Sequence, residues 1–354
     1  LTWERIGMKI CHIVLSLLVF HAVDVRGQGP FQAMNPNIGV IGDFSYRNRF
    51  NVTGPEDGFH FNEAEISFRM VLDPFARADF YVAVVPEEGV ELEEGFLTLL
   101  SLPFSFQARV GHFRNAFGKF NLTHPPETPL ALPPLHLANY FGEEGLAETG
   151  ISVSTIVPNP WGIYLETSLD VLNGDNPVSF GSAIGDRPSY LAHLKSFVDV
   201  TENSNVEFGL SALTGSHGSP ETHTTRLFGG DAIYRWKPLG RGNYRSFTFQ
   251  WEGLASLRQG EGETVESFAL FVFSQLQLSK RWFVGVSYDR SGLPESQNSI
   301  EWRTSGLVTF WPSEFQTVKV QVAHARRNFS SSRTVNSVHF QWTFVIGAHG
   351  AHKF

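Results

Sequence analysis

Hydrophobic and polar side chains alternate with a period of two along most of this chain. Between residues 63 and 72 the even positions are apolar, whereas the odd positions include Glu63, Glu65 and Arg69. The same alternation recurs at residues 40–50, 161–171, 205–213, 246–252 and 338–346. A period of two predicts β-strands with one apolar and one polar face, so we predict an all-β fold. Residues 90–100 are ambiguous, because their acidic side chains fall on both faces.

Short turns and longer polar segments alternate between the predicted strands. The turns carry residues such as Pro, Gly and Asn, and they lie at residues 73–74, 102–103, 158–160, 202–203, 237–240, 279–281 and 312–314. The longer segments lie at residues 51–58, 86–89, 113–145, 172–188, 215–225, 256–267, 290–300 and 325–334. This alternation predicts an antiparallel barrel of about sixteen strands, although a β-propeller also fits a hairpin spacing of roughly 40 residues.

Tryptophan placement favours a membrane barrel over a soluble β-protein. Trp161, Trp236, Trp282 and Trp311 adjoin short turns, and Trp302 adjoins a longer segment. Indole rings prefer the level of the lipid headgroups, so an outer-membrane barrel collects them at the ends of its strands. A soluble sandwich would place them at strand centres in its core. The pattern therefore predicts a transmembrane antiparallel β-barrel.

The last predicted strand runs to the aromatic end of the chain. Phe354 keeps the parity of Phe340, Trp342 and Phe344. A terminal aromatic strand is the usual ending of an outer-membrane barrel, where the barrel-assembly machinery reads it. We therefore predict that Phe354 is an assembly signal. The alternative is a soluble strand that ends on phenylalanine by chance.

The amino-terminal region has the pattern of a secretory signal peptide. A basic start at residues 8–9 precedes a mostly apolar run at residues 10–20, which is too short to span a bilayer as a helix. We predict an upstream extension plus signal peptide at residues 1–27, a short periplasmic segment at 28–37 and the transmembrane barrel at 38–354. The expected location is the outer membrane of a Gram-negative bacterium, in contact with membrane lipid and lipopolysaccharide.

Composition and charge argue against several other functions. The chain has 27 basic and 35 acidic side chains, and the acidic excess persists once residues 1–27 are removed. This balance argues against a nucleic-acid partner. The only cysteine is Cys11, inside the predicted signal peptide, so we expect no disulfide in the exported protein. No pairing of a nucleophile with a base stands out, so we expect neither an enzyme nor a cofactor.

Charged residues on the polar strand faces are predicted to line a water-filled lumen. A basic side chain on the lipid face would cost about 2–4 kcal/mol at mid-depth. The predicted lining residues are Asp43, Arg47, Arg49, Glu63, Glu65, Arg69, Asp79, Arg109, Glu166, Asp170, Glu207, Asp231, Arg235 and Glu252, together with Asp289 and Lys319. Charges of both signs give a transverse field that orients polar solutes. The simpler explanation is that any water-filled barrel has charged walls.

The longest predicted loop, at residues 113–145, is a candidate constriction. It contains five prolines, which stiffen it. Its charged and histidine residues are Arg114, Lys119, His124, Glu127, His136, Glu143 and Glu144. In general porins the loop after the fifth strand folds inward and narrows the channel. An ordinary outward loop is the alternative.

Several sequence strings resemble one known family. They lie at residues 35–44, 61–68, 73–79, 109–118, 311–315 and 347–354. Together, over nearly the whole mature chain, they resemble porin-like outer-membrane proteins related to phosphate-selective porins, often labelled zinc-regulated TonB-dependent receptors. The resemblance implies an outer-membrane barrel that serves uptake.

The residues themselves argue against two parts of that label. A TonB-dependent transporter has a 22-stranded barrel with a plugged lumen. Here the first predicted strand begins near Ile38, so we predict no plug domain. Phosphate-selective relatives rely on clustered lysines, whereas the candidate constriction offers only Lys119 and Arg114 as basic residues. Phosphate selectivity is therefore not predicted.

Two functions of different classes remain open. The first is a passive channel for small hydrophilic solutes or ions, and the second is a substrate-specific uptake receptor with a metal such as zinc as its cargo. His217 and His223 share a predicted loop and are candidate zinc ligands, whereas the spacing of His349 and His352 places them on opposite faces of a strand. Neither metal binding nor assembly into a homo-oligomer is decided by the sequence.

Overall fold

The computed structural model describes residues 36–50, 52, 57–181, 187–218, 223–330 and 332–347. The predicted signal peptide, the predicted assembly signal Phe354 and the histidines His349 and His352 lie outside the described residues. The described residues belong to one compact unit that begins at Pro36.

Sixteen β-strands make up most of the described chain. They are β1 Asn37–Arg49, β2 Gly58–Asp73, β3 Ala76–Val85, β4 Gly89–Leu99, β5 Phe106–Arg114, β6 Ala147–Ile156, β7 Tyr164–Leu172, β8 Ser189–Thr201, β9 Ser204–His217, β10 His223–Trp236, β11 Phe247–Gln259, β12 Thr264–Gln277, β13 Trp282–Leu293, β14 Ser296–Ser313, β15 Gln316–Arg327 and β16 Thr334–Gly347.

The sheet closes on itself. Each strand is antiparallel to its neighbours in the chain, and β1 pairs with β16, for example at Phe44 and Trp342. Closure leaves no strand edge unpaired, which a barrel in lipid requires. The predicted all-β fold, a transmembrane antiparallel barrel of about sixteen strands, is therefore confirmed, and the described residues contain no plug domain.

Side-chain exposure follows the predicted period of two. In β9, Phe208 is 51% exposed on the outer surface, whereas its neighbour Glu207 is 8% exposed and faces the interior. In β13, Val286 is 61% exposed and Ser287 is 7% exposed. Apolar side chains suit the hydrocarbon layer, and charged ones need water or a partner. The strands therefore present their apolar faces to lipid and their polar faces to the interior.

A β-bulge explains the ambiguous alternation of residues 90–100. Tyr81 of β3 pairs with Glu94, whereas the next residue, Val82, pairs with Leu92, so Glu93 is an extra residue in β4. A bulge disrupts the alternation and re-aims the side chains beside it. Glu93 and Glu94 consequently both turn to the same interior histidine, His124, which a strict period of two does not allow.

Two predicted loops are shorter than expected. The segment predicted at 256–267 reduces to residues 260–263 between β11 and β12, and the one predicted at 290–300 reduces to residues 294–295 between β13 and β14. Strand ends of outer-membrane barrels project beyond the hydrocarbon layer, where both faces are solvated. Their backbones therefore pair without an alternating hydrophobic signal.

Helical structure in the described chain is limited to short pieces. It comprises the α-helix α1 (Leu135–Phe141) and three single 3₁₀ turns. No described helix is long and apolar enough to cross a membrane. The helix α1 and two of the 3₁₀ turns, Phe120–Leu122 and Pro125–Glu127, lie in the connection between β5 and β6. This connection therefore has structure of its own.

Candidate functional site

The connection between β5 and β6, which we call the inner loop, folds into the barrel interior. It comprises residues 115–146, because the pairing of β5 with β6 continues as far as Arg114 and Ala147. The prediction that Arg114 belongs to the loop is therefore wrong, since it is the last residue of β5. The inner loop contacts wall residues on β2, β4, β9 and every strand from β11 to β15. It thus crosses the interior instead of projecting outward.

Asn121 fastens the inner loop at its root. Its Nδ2 donates to the backbone oxygens of Asn115 and Leu146, each at 2.8 Å, and its Oδ1 accepts from the backbone nitrogen of Leu146 at 2.7 Å. Gly145 lies beside this contact with φ +77°, and a Cβ there would lie 2.3 Å from Oδ1 of Asn121. Glycine is therefore required on both conformational and steric grounds. The loop leaves and re-enters the wall at this one point.

The wall of β9 and β11 holds one side of the inner loop through two carboxylates. Glu207 accepts from Nζ of Lys119 at 2.8 Å. Glu252 accepts from the backbone nitrogen of Phe120 at 2.7 Å and lies 3.0 Å from Nε2 of His136. Hydrogen bonds to charged groups are shorter and stronger than neutral ones. Two predicted lining residues and two predicted loop residues therefore meet here.

The wall of β14 and β15 holds the inner loop by its backbone carbonyls. Nζ of Lys319 lies 2.5 Å from the oxygen of Thr128 and 3.2 Å from that of Pro126. Nη2 of Arg303 donates to the oxygen of Pro133 at 2.5 Å. Proline fixes the backbone around these carbonyls, so they are presented in one direction. Arg303 was absent from the predicted lining residues, although it shares the interior parity of β14.

An apolar cluster inside the barrel packs the inner loop against the wall. Its members are Phe117, Phe120, Leu137, Tyr140 and Phe141 from the loop and Leu213, Leu227, Leu254, Phe271 and Phe273 from the wall. The rings of Phe120 and Phe271 meet edge to face at 5.5 Å. The prediction of a polar interior missed this cluster. The available signal was the stretch 268–273, which is apolar on both faces, as expected for a strand covered on both sides.

His124 of the inner loop lies among three wall carboxylates. Its Nε2 is 2.7 Å from Glu94, and its Nδ1 is 3.0 Å from Glu93 and 3.3 Å from Glu65. Burial by itself lowers a histidine pKa, but the hydrogen bonds to these carboxylates outweigh burial and hold the pKa of His124 well above its ordinary value. The ring also stacks on Tyr81, with centroids 4.7 Å apart. His124 therefore attaches the loop to β2 and β4.

The other predicted loop residues differ in exposure. Glu127 is half-buried, and the side chains of Glu143 and Glu144 are exposed at the end of the loop. The backbone oxygen of Glu144 accepts from Nη1 of Arg114 at 2.6 Å.

Some predicted acidic lining residues pair with basic residues of the wall. Glu166 of β7 lies 2.6 Å from Nζ of Lys195 on β8. Asp79 lies 2.7 Å from Nε of Arg77 and 3.7 Å from Nε of Arg69. Opposite charges therefore lie side by side on these parts of the wall. Lys195 was not predicted, although it shares the interior parity of β8.

The remaining predicted lining residues also lie at the alternate strand positions whose side chains face the interior. Those that are buried are Asp43, Asp170, Asp231 and Asp289, and those that are half-buried are Arg47, Arg49, Glu63, Arg109 and Arg235. Asp43 accepts from Nε2 of Gln341 at 3.0 Å, across the closure of β1 with β16. The buried carboxylate Glu148 of β6 was missed. It accepts from the backbone nitrogen of Gly174 at 2.7 Å and so holds the connection between β7 and β8.

The histidine pair predicted to share a loop lies instead on paired strand ends. His217 ends β9 and His223 begins β10, and they face each other with ring centroids 5.8 Å apart. The backbone pairing continues further than the polar sequence indicates. Within the described residues, three potential metal ligands come together at Glu65, Glu93 and His124.

Comparison with known sequences shows a distant relative. No protein-family model matches the chain. An uncharacterized protein of Aquifex aeolicus (strain VF5) is 29% identical over 342 residues, covering 84% of this chain and 70% of that protein. The similarity extends along most of the barrel, and the narrower resemblance to phosphate-selective porins and TonB-dependent receptors stays a prediction.

Solved structures of outer-membrane proteins share the fold. An anion-selective porin from Comamonas acidovorans is 10% identical with a TM-score of 0.59, covering 88% of this chain and 99% of that one. The outer membrane channel DcaP of Acinetobacter baumannii is 10% identical with a TM-score of 0.59, covering 88% of this chain and 97% of that one. A loop L8 deletion mutant of OmpT, an outer membrane protein of Vibrio cholerae, is 8% identical with a TM-score of 0.60, covering 89% and 100%.

At these identities the similarity shows the fold alone. The localisation follows from that fold, because a closed barrel with an apolar outer surface and a polar interior is built to sit in lipid. The chain is a sixteen-stranded outer-membrane barrel of the porin architecture, located in the bacterial outer membrane.

Proposed function

We propose that the protein is an outer-membrane channel through which small hydrophilic solutes or ions diffuse passively. The observation that carries this proposal is the charged barrel interior, crossed by an inner loop that is fixed to the wall on several sides. A polar wall accepts hydrated solutes, and a fixed loop narrows their path so that size and charge decide passage. The neighbours described as a porin and as a channel support it. The proposal includes no enzymatic activity.

Single-channel recording in planar bilayers tests the proposal. We expect discrete conductance steps from the purified protein and larger steps after residues 123–142 are replaced by a short Gly-Ser linker, because that segment spans the interior. A matched control shortens the connection between β10 and β11 at residues 239–243, away from the inner loop, and should leave the step size unchanged. A folded protein that gives no conductance but binds a ligand tightly would support the uptake receptor instead.

The charged wall favours weak cation selectivity. Acidic residues outnumber basic ones among the predicted lining residues. In pairs such as Glu166 with Lys195 the opposite charges cancel each other locally. Arg47 on β1 opposes the acidic excess near its end of the wall, whereas the charge of Arg49 is balanced by Asp57 at 3.1 Å. We expect the reversal potential in a KCl gradient to show greater permeability for K⁺ than for Cl⁻. A reversal potential of the opposite sign would contradict this selectivity without affecting the channel proposal.

The barrel is also proposed to form a homo-oligomer. The support is a trimer form of in-vitro folded OmpT of Vibrio cholerae, which is 9% identical with a TM-score of 0.58 and covers 88% of this chain and 100% of that one. Light scattering of the protein in detergent measures the number of chains per particle. A monomer that persists at high protein concentration would contradict the proposal.

A further inference from the structure

The carboxylates around His124 form a cluster that holds the inner loop, and the channel proposal assigns it no ligand. We call Glu65 of β2, Glu93 and Glu94 of β4 and His124 of the inner loop the His124 cluster. The β4 bulge brings Glu93 and Glu94 together, and bulges often re-aim side chains beside functional sites. Even a doubly protonated imidazole cannot neutralise the carboxylates that surround it. The four side chains therefore carry an excess of negative charge in a nearly buried place, and the guanidinium of Arg114 beside Glu93 and Glu94 offsets only part of it.

One carboxylate oxygen of the cluster has no hydrogen-bond donor among the described residues. The side chain of Glu65 is 1% exposed, and its Oε2 lacks a hydrogen-bond partner. It faces Nδ1 of His124 at 3.3 Å, but that nitrogen is closer to Glu93, at 3.0 Å. Buried carboxylate oxygens are strongly unfavourable unless they are paired or bind a cation. Glu65 thus points into the cluster an oxygen whose neighbouring donor, Nδ1 of His124, lies closer to Glu93.

The donor atoms are arranged for a transition metal. Nδ1 of His124 and one oxygen from each of Glu65 and Glu93 lie within 4.8 Å of one another. Ligands of a tetrahedral Zn²⁺ lie about 3.3–3.6 Å apart, so small side-chain rotations complete the set. One imidazole with two carboxylates suits Zn²⁺ and related ions, whereas Ca²⁺ and Mg²⁺ prefer ligands that are all oxygen.

Glu94 supplies the support that a metal-binding histidine requires. Its Oε1 lies 2.7 Å from Nε2 of His124 and accepts a hydrogen bond from that nitrogen. A metal ion that binds Nδ1 then replaces the Nδ1 proton, which is released to solvent, while Nε2 keeps its proton toward Glu94. Its other oxygen accepts from the backbone nitrogen of Arg114 at 2.7 Å, which holds the carboxylate in place. A carboxylate behind the ring is the usual partner of a metal-bound imidazole.

We propose that a divalent transition-metal ion, represented by Zn²⁺, binds Nδ1 of His124 together with Glu65 and Glu93, and that Glu94 positions the ring. The ligands come from β2, β4 and the inner loop, so the ion ties the loop to the wall. Three protein ligands leave a fourth position for water. Binding requires only the folded barrel and is therefore independent of whether the protein conducts.

Zn²⁺ binding to the full-length barrel refolded in detergent tests the proposal, measured by calorimetry after dialysis against a chelator. We expect saturable binding of one ion per barrel. Glu65→Gln, which keeps the size of the side chain, should weaken binding at least about tenfold. Glu94→Gln retains the ligands but loses the charged acceptor, and we expect a loss of about 10–100-fold. Ca²⁺ and Mg²⁺ should not displace the Zn²⁺.

His136→Gln is the matched control. His136 is also an inner-loop histidine whose Nε2 faces a buried carboxylate, Glu252 at 3.0 Å, but it lies outside the metal-ligand group. This variant should bind Zn²⁺ like the wild type, and heat-modifiable migration in electrophoresis verifies that each variant is folded. The proposal is overturned if the folded wild-type barrel binds no Zn²⁺, or if Glu65→Gln binds it equally well. The proposal is also overturned if His217→Gln loses Zn²⁺ binding and the variants of the His124 cluster keep it.

Discussion

Adjacent residues on one strand experience opposite surroundings, and this difference decides what each position tolerates. Glu166 reaches Lys195 across the interior face of β7 and β8 at 2.6 Å, whereas Leu165 lies on the outer parity. The same alternation separates Phe208 from Glu207. A period of two makes the two faces independent, so a substitution on one face leaves the other intact.

Cysteine labelling checks the assignment of the faces. Glu166→Cys should react with a membrane-impermeant thiol reagent in the native membrane, because its side chain is 29% exposed in the interior. Leu165→Cys should stay unreactive because lipid covers it. The native chain offers little background, since Cys11 lies in the predicted signal peptide. The opposite reactivity of the two variants would show that the register is wrong.

The stability of the attachment at His124 is expected to depend on pH in metal-free buffer. The folded-state pKa of His124 lies above its ordinary value, as its carboxylate partners outweigh burial. The contact of the imidazolium therefore contributes fully to the free energy of unfolding below the pKa of an unfolded histidine, about 6.5. This contribution is lost as the pH rises through the pKa of the folded state. It amounts to about 1.4 kcal/mol for each unit by which the two pKa values differ.

Urea unfolding in lipid vesicles with a chelator, at several values between neutral and alkaline pH, measures this dependence. The difference in the free energy of unfolding between wild type and His124→Gln should shrink as the pH rises. The same comparison with Glu266→Gln, an exposed residue of β12, serves as the control. A difference that stays constant or grows with pH would contradict the assignment of a charged His124.

The inner loop is fixed by contacts made at both its root and its tip. Asn121 ties its two ends together, and Lys319 of β15 holds the carbonyls of Thr128 and Pro126 on the far wall. The short helix α1 between them packs its buried face, including Leu137 and Tyr140, on the interior wall. A seven-residue helix is marginal alone, so this packing stabilises it.

Asn121→Ala should loosen the inner loop without unfolding the barrel. It removes the acceptor of the buried backbone nitrogen of Leu146, at a cost of about 1–3 kcal/mol for an unsatisfied group. The backbone oxygens of Asn115 and Leu146 lose one donor each but still accept from the backbone nitrogens of Phe117 and Asn115. We expect faster proteolysis within residues 115–146 and noisier single-channel currents, with the barrel still folded.

Asn159→Ala is the matched control for this prediction. Asn159 also makes hydrogen bonds to two backbone residues, Val157 and Ile163, but in the connection between β6 and β7. Its loss should leave proteolysis of the inner loop unchanged. If Asn121→Ala behaves in the same way, the root contact does not control the loop.

The barrel closes only because its first strand, β1, pairs with its last strand, β16. β1 and β16 pair from Gly39 with Gly347 to Arg49 with Ser337. On the interior side Asp43 accepts from Gln341 and Thr343 across this seam. The pairing joins residues separated by nearly the whole chain, so it is costly in loop-closure entropy and forms slowly without help.

Deletion of Phe354 should therefore reduce the amount of barrel in the outer membrane more than it reduces the stability of the assembled protein. The physical reason is that assembly machinery must recognise the last strand before the seam closes. Membrane fractionation measures the amount inserted, and urea unfolding of protein refolded in vitro measures stability. Normal insertion of the truncated protein in cells would refute the assembly role.

The sequence by itself determined the all-β class from its period of two, the approximate strand number from the alternation of turns and longer segments, and the faces of most strands, with β4 as an exception. Each of these depends on local geometry, because successive side chains of an extended strand point to opposite sides, and here the sides are lipid and a polar interior. The neighbouring residues on each strand therefore suffice to predict that the side chains of Asp170, Glu207 and Glu252 point inward.

The tertiary structure decided which interior residues meet. The contact of Lys319 with Thr128 joins positions 191 residues apart, and the inward turn of both Glu93 and Glu94 depends on a bulge in the pairing with β3. Local alternation contains no information on the path of a loop through the interior or on a shift in strand pairing. Those features arise from contacts between distant segments, which is why the His124 cluster and the apolar cluster became visible only in the folded barrel.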